Sequence, residues 1–426
     1  MQLKNPKPIR QALTLATCGM LAGVAPAGSV LAADKPLEVD SAILFYSETD
    51  RVQAFEPVVR VRKEIGEEEF VSARVVIDAL TGSSANGAIA TATPQTFTSP
   101  SGNATYQVNA NETPLDPTFH DTRGAVNAQW EKPLSQQLKG VFSANASTEF
   151  DYTSFGLAAT ISKDINDKLT TLIVGASANF DQVSPAGNIP VGLTPMPVFP
   201  AVKTTTDASD TKTVTDLMFG VTQVINRNTL MQLNYSFGSD SGYLTDPYKI
   251  LSVVDGGTGA LRASDPYVYE KRPDSRARNA LYWKMQHQFT EDVLTLSYRY
   301  YGDDWGVTSH TLEGFYRYEL NATHYLQPHV RYYRQGKADF YHTYLIDGQE
   351  TTLKEASADY RLGDLTTTTL GLKYGMALGE GSEFGVRLEV MNQSGESDSP
   401  IGVMAGQDLS TDLNAVILQI NYSLLF

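Results

Sequence analysis

The chain has 426 residues, a formal net charge of −15 and charged side chains at 19% of its positions. A balance this acidic, with no basic stripe to meet phosphates, excludes a nucleic-acid binder. With one cysteine, Cys18, no disulfide framework is open to it.

The first thirty-three residues follow the basic, apolar, small-residue order of a secretory signal. Lys4, Lys7 and Arg10 precede an apolar run from Ala12 to about Ala25, and V-L-A-A at Val30–Ala33 offers cleavage after Ala32 or Ala33. The expected division is a signal peptide at 1–33 and a single domain at 34–426. Loss of the signal removes three basic side chains and the only thiol, and takes the net charge from −15 to −18.

No later apolar run approaches the roughly 20 residues of a helical span. Instead, short segments alternate apolar and polar side chains, the period of a strand with two unlike faces. Asp40–Ser47, Gln53–Val61 and Val71–Ala79 open the series. Gly124–Leu134, Leu138–Thr148, Thr153–Ile161, Thr170–Phe180, Thr215–Ile225 and Met231–Phe237 follow. Leu281–Phe289, Leu294–Tyr300, Leu312–Leu320, Leu326–Arg334, Leu370–Leu378, Phe384–Val390 and Ala415–Phe426 complete it.

Connection lengths alternate as well. Tight polar turns fall at Ile65–Glu68, Ser135–Gln137, Asn166–Lys168, Asn226–Asn228, Thr290–Asp292, Asn321–Thr323 and Gly379–Gly381. Between them lie the long links Thr81–Asp121, Asp181–Lys212, Gly238–Asn279, Lys337–Gly363 and Asn392–Thr411, with shorter ones near Glu48–Arg51, Phe150–Tyr152 and Gly302–Thr308. This sorting predicts an all-β fold, a transmembrane antiparallel up-and-down β-barrel of about sixteen strands. Its short turns would be periplasmic and its long loops extracellular.

The last strand carries the clearest pattern. Val416, Leu418, Ile420, Tyr422, Leu424 and Phe426 share one parity and form an unbroken apolar face, while the other parity is mostly polar. It is expected to close the barrel and to be read by the barrel-assembly machinery, with outer-membrane lipid against its apolar face.

The same parity puts charge inside. Arg299, Glu313, Arg317, Arg331, Arg387 and Glu389 all alternate with lipid-facing apolar residues, as do Arg60, Arg62, Arg74 and Asp78 nearer the front. A charge at the lipid midplane costs about 2–4 kcal/mol, so these groups belong in the lumen. There they either line a water-filled path that selects solutes by charge or tie across it as a plug. Tyr298–Tyr301, Trp305, Tyr316, Tyr318, Tyr325, Tyr332 and Tyr333 lie near strand ends, where aromatic rings girdle a barrel at the membrane interfaces.

A second function class rests on Asp303, Asp304 and His310, which flank a short outer link, with His120, Asp121 and Arg123 at the foot of a long one. Carboxylates beside a histidine at a barrel mouth have the chemistry to activate water. The plainer expectation is that they solubilise the rim, with Trp305 as an interfacial anchor, so no enzyme is expected. Asp339 and His342, with Tyr341 and Tyr344, offer oxygen and nitrogen ligands together with His324 or His329, but His324 belongs near a short turn and His342 in a long loop, roughly a membrane thickness apart. No closely spaced set resembles a structural zinc site or an attached haem, and no metal or cofactor is expected. D-G-G-T-G at Asp255–Gly259 leads into no helix and reads as a turn.

Several longer strings carry a family resemblance. D-A-L-T-G-S-S-A-N-G-A at Asp78–Ala88, H-D-T-R at His120–Arg123, S-T-E-F-D-Y at Ser147–Tyr152 and R-P-D-S-R-A-R-N at Arg272–Asn279 are four of them. Y-R-Y-Y-G-D-D-W-G at Tyr298–Gly306, S-H-T-L-E at Ser309–Glu313 and R-Y-Y-R-Q-G-K-A-D-F-Y at Arg331–Tyr341 are the others. Together they resemble a bacterial family of predicted outer-membrane β-barrels catalogued as a domain of unknown function. The resemblance covers nearly the whole mature chain and implies the barrel and its location, with no catalytic residues attached. Members tend to be encoded near a flavin-attaching transferase and a small lipoprotein, which by analogy implies a periplasmic redox or lipoprotein partner.

Overall fold

Alternating strands joined by tight turns bury no face on their own, and they close into a ring because only closure pairs every edge. The computed structural model describes residues 37–379, 381–410 and 412–426. The expected signal peptide, with Cys18, lies outside them. In chain order the first strands are β1 (Leu37–Glu48), β2 (Gln53–Gly66), β3 (Glu69–Ala85), β4 (Gln95–Thr98), β5 (Thr105–Val108), β6 (Leu115–Ser135) and β7 (Leu138–Thr148). Next come β8 (Tyr152–Ile165), β9 (Thr170–Val183), β10 (Asp210–Asn226), β11 (Thr229–Gly242), β12 (Ile250–Val254), β13 (Tyr267–Tyr269) and β14 (Ser275–Gln288). The last are β15 (Val293–Asp303), β16 (Thr308–Glu319), β17 (His324–Gln335), β18 (Leu345–Ile346), β19 (Leu365–Gly379), β20 (Ser382–Gly395) and β21 (Leu413–Leu425).

Sixteen of these form one closed antiparallel barrel in the order β1-β2-β3-β6-β7-β8-β9-β10-β11-β14-β15-β16-β17-β19-β20-β21. The terminal strand closes it: β21 pairs with β1, Leu37 N–H donates to the Phe426 carbonyl at 3.1 Å, and Phe426 N–H returns to Leu37 at 3.0 Å. The strand number, the seven tight turns and every long link match the sequence pattern. The five remaining strands lie inside long links that alternation left unassigned.

The ring turns its apolar parity outward. Ile43, Val75, Val126, Leu217, Leu281, Val330, Leu388 and Ile420 are all exposed on the wall, a surface suited to lipid tails. Trp130, Tyr318 and Tyr374 belong to an aromatic belt toward the short-turn end, and Phe55, Phe155, Phe180, Tyr300 and Tyr332 to one toward the long-loop end. A closed antiparallel ring with an apolar exterior is an outer-membrane-type barrel. Four of the expected girdle residues are elsewhere. Trp305 is only 5% exposed within the loops, Tyr301 packs against the same cluster, and Tyr325 and Tyr333 face the lumen by register. Nearness to a strand end does not make an aromatic interfacial; parity decides.

The long loops build a second hydrophobic core. β12 is buried along its whole length and is the middle strand of the sheet β13-β12-β18, while β4 and β5 form a hairpin beside it. One cluster joins Ile89 from the link after β3, Val254 from the link after β11, Tyr344 from the link after β17, and Met404 and Leu409 from the link after β20. β3 and β11 stand six places apart in the ring. A ring of this size, with strands about 4.8 Å apart and tilted about 40°, measures roughly 30 Å across. Segments rooted that far apart meet in one core only by crossing the mouth. The loops therefore form a cap that bridges the long-loop end.

Candidate functional site

Arg299, Glu313, Arg317, Arg331, Arg387 and Glu389 stand on β15, β16, β17 and β20, on the parity opposite the exposed apolar side chains. Three are joined through His329, which shares their parity. Its Nε2 is 3.1 Å from a Glu313 oxygen and its Nδ1 is 2.8 Å from Glu389, while Arg387 reaches Glu389 at 3.7 Å. Phe315 stacks on the imidazole at 4.2 Å and holds it edge-on to both carboxylates. Arg317 pairs with Glu319 at 2.6 Å and lies 3.6 Å over the Tyr325 ring. Arg299 and Arg331 form no ion pair among the described residues; Arg331 sits over Tyr333.

Alternation alone missed the partners that complete this wall. Lys373 and Glu383 are buried and paired at 3.0 Å, with the Tyr325 hydroxyl donating to the same Glu383 oxygen at 2.7 Å. Both share the inward parity of Arg387, so the signal was present. Near the short-turn end a second network links Arg62 to Glu38 at 3.1 Å and to Glu131 at 3.5 Å, and Lys139 also pairs with Glu131.

The mouth residues do not assemble. Asp303 faces inward, where it receives Arg276 and the Tyr301 hydroxyl, and its other oxygen accepts the N–H groups of Trp305 and Val307. It is the organising carboxylate of a tight turn. Asp304 accepts the Ala277 N–H at 2.9 Å. His310 pairs in register with Tyr300, on the opposite parity from Asp303, and its Nδ1 meets the Tyr298 hydroxyl at 2.7 Å on the outer wall. The register across a short link puts Asp303 and His310 on opposite faces, so they form no common site.

Beside the cap the loops leave a cleft of about 1220 Å³. Its walls come from the top of β6, the short link before β8 and the links after β3, β9 and β11, and its lining includes Lys212 from the inward face of β10. Arg272 and Arg361 reach the cleft from a buried ion network. Arg272 pairs with Glu270 at 2.7 Å and with Asp359 at 2.8 Å, and Arg361 pairs with Asp246 at 3.1 Å. Ser357 closes the network onto Glu270, which ties the link after β11 to the link after β17. Of the two carboxylates sharing Arg272, Asp359 keeps its charge, because Arg361 and Arg272 outweigh its burial and hold it well below the usual range. Burial dominates at Glu270 and pushes its carboxyl up to about 7. At the rim, burial and then the adjacent Asp121 push Glu149 up to about 7. The Tyr248 hydroxyl, also raised chiefly by burial, donates to Asp151.

Similarity to solved structures is low. The chain is similar to the siderophore receptor PirA from Pseudomonas aeruginosa, at 10% identity and a TM-score of 0.42 over 93% of this chain and 68% of that one. It is similar to CdiB from Acinetobacter baumannii, at 7% and 0.45 over 91% and 60%. It is also similar to OccK1 (OpdK) from Pseudomonas aeruginosa, at 9% and 0.38 over 92% and 99%. No curated protein matches the sequence. The family model for a protein of unknown function, DUF3570, matches residues 10–424, and the chain belongs to that family.

Proposed function

We propose that this barrel passes a solute across the outer membrane, with the long loops outside, through the cleft beside the cap and then along the charged lumen. The cap carries this reading. It bridges the mouth, so a solute reaches the lumen from the side, where the cleft is bounded by loops and by the inward rim of β8–β10. Within the lumen the glutamates are tied up by His329 and Arg387, whereas Arg299 and Arg331 keep their fields for the path. A mouth-sited hydrolase has no such support, since its carboxylates and histidine face different ways.

The test is conductance in a planar bilayer across a salt gradient. Purified barrel is expected to give steady steps with a defined reversal potential. Ala201→Cys on the cleft wall, in a Cys18→Ser background and labelled with a bulky maleimide, is expected to reduce the step size. A folded but silent barrel, or a labelled one that conducts as before, removes the proposal.

A further inference from the structure

Resting on the reading of the cleft as the way in, we infer that the cleft takes a neutral oligosaccharide. Its volume of about 1220 Å³ exceeds the roughly 300–1,000 Å³ that encloses a drug-sized ligand, so a ligand of several linked units fits it best. Five acidic and five basic side chains line it, which leaves no net charge to draw in an ion. The bases are already engaged: Arg272 and Arg361 with carboxylates, Lys212 with Asp181, and the two remaining lysines with backbone carbonyls.

What the cleft offers instead is flat aromatic surface beside hydrogen-bonding groups. The Tyr152 and Tyr248 hydroxyls are fixed on Asp181 and Asp151, which anchors both rings. Phe150 and Phe199 stand at the lip, 83% and 43% exposed. A pyranose presents a face of C–H groups to such rings and a rim of hydroxyls to their surroundings. Serine and threonine side chains of the lining, Ser99, Ser101, Thr118, Thr122 and Thr245 among them, put hydroxyls beside these rings. Such groups both donate and accept, as sugar hydroxyls do, and an alkyl chain has no use for them.

Calorimetric titration of the intact barrel in detergent tests this, with maltohexaose, cellohexaose and chitohexaose as neutral probes and hexalysine and hexaglutamate as charged ones. At least one neutral hexamer is expected to bind and neither peptide to do so. Phe199→Ala with Phe150→Ala, both at exposed positions, is expected to weaken binding about fivefold to tenfold, the loss of stacked rings. No binding by any neutral hexamer at millimolar concentration, preference for a charged peptide, or binding unmoved by the double substitution overturns the inference. Conductance of the same preparation separates the two proposals. Sugar binding by a silent barrel keeps this one and removes passage; conductance without sugar binding does the reverse.

Discussion

At the scale of single residues, the lumen wall depends on shapes that composition does not announce. Tyr325 lies directly opposite Gly375 in the β17–β19 register, and a Cβ on Gly375 would overlap the tyrosine ring. The glycine is the seat that lets Tyr325 reach Glu383 beneath the Arg317 guanidinium. Gly375→Ala is expected to unseat the ring and cost about 1–3 kcal/mol, as overpacking does. Urea unfolding of the barrel in lipid vesicles measures it, and an unchanged midpoint would mean that the ring does not need that seat. His329→Ala strands two carboxylates that share one partner, and a loss of about 1–3 kcal/mol is expected in the same assay. A variant as stable as the parent would show that lumen water replaces the imidazole at no cost. The inward place of His329 was legible from alternation, but its partners were not, because parity fixes a face and says nothing of which neighbours meet across it. Parity read across the Asp303–Thr308 link does separate Asp303 from His310; nearness in sequence obscured it.

At the scale of elements, alternation found what lipid and lumen impose and missed what a core imposes. Each barrel strand divides its side chains between two unlike environments, so its period of two is visible. β12 reads Ile250-Leu251-Ser252-Val253-Val254, a continuous run buried on both faces, and it sits in a link that otherwise looks like loop. Such a run bounded by turn residues is the signal of a fully enclosed strand. The cap built around it has a pH window set by its two buried carboxylates. Glu270 is raised from 4.5 to about 7, so the stability it adds is complete below about 4.5 and is lost as pH rises through about 7. Asp359 is depressed, so its contribution is present above the ordinary carboxylate value of 3.8 and fades as pH falls below it. Protection of the β12 amides from hydrogen exchange, corrected for intrinsic rate, is therefore expected to be greatest near pH 4, to fall as pH rises toward about 7 and to level off above it. Glu270→Gln is expected to flatten the alkaline fall while leaving the acid one. An alkaline fall that persists in that variant would place the titrating group elsewhere.

At the scale of the whole molecule, the proposed passage would give the cap and the lumen charges two tasks that a simple open pore combines. Loops rooted six strands apart share one core, so that passage would be entered at the side of the mouth, and an ion taking it would meet a wall whose Glu313 and Glu389 are already paired from within. That wall leaves Arg299 on β15 and Arg331 on β17 as cations without an ion-pair partner among the described residues, two strands apart on one side of the lumen. On the proposed passage their combined field is expected to favour anions, despite the acidic net charge of the chain, because selectivity follows the charges at the path and not the total. Neutralising both, as Arg299→Gln with Arg331→Gln, is expected to move the reversal potential across a salt gradient toward cation preference. The shift should shrink as salt rises and the Debye length contracts from about 10 Å at 0.1 M toward about 3 Å at 1 M. Glu313→Gln is expected to move it less, because that carboxylate already faces His329 at 3.1 Å and stands opposite Arg331 in the strand register. A folded, conducting double variant with the parent's reversal potential would mean that the ion path runs along another side of the lumen. The network of Arg62, Glu38 and Glu131 would then be the next wall to neutralise.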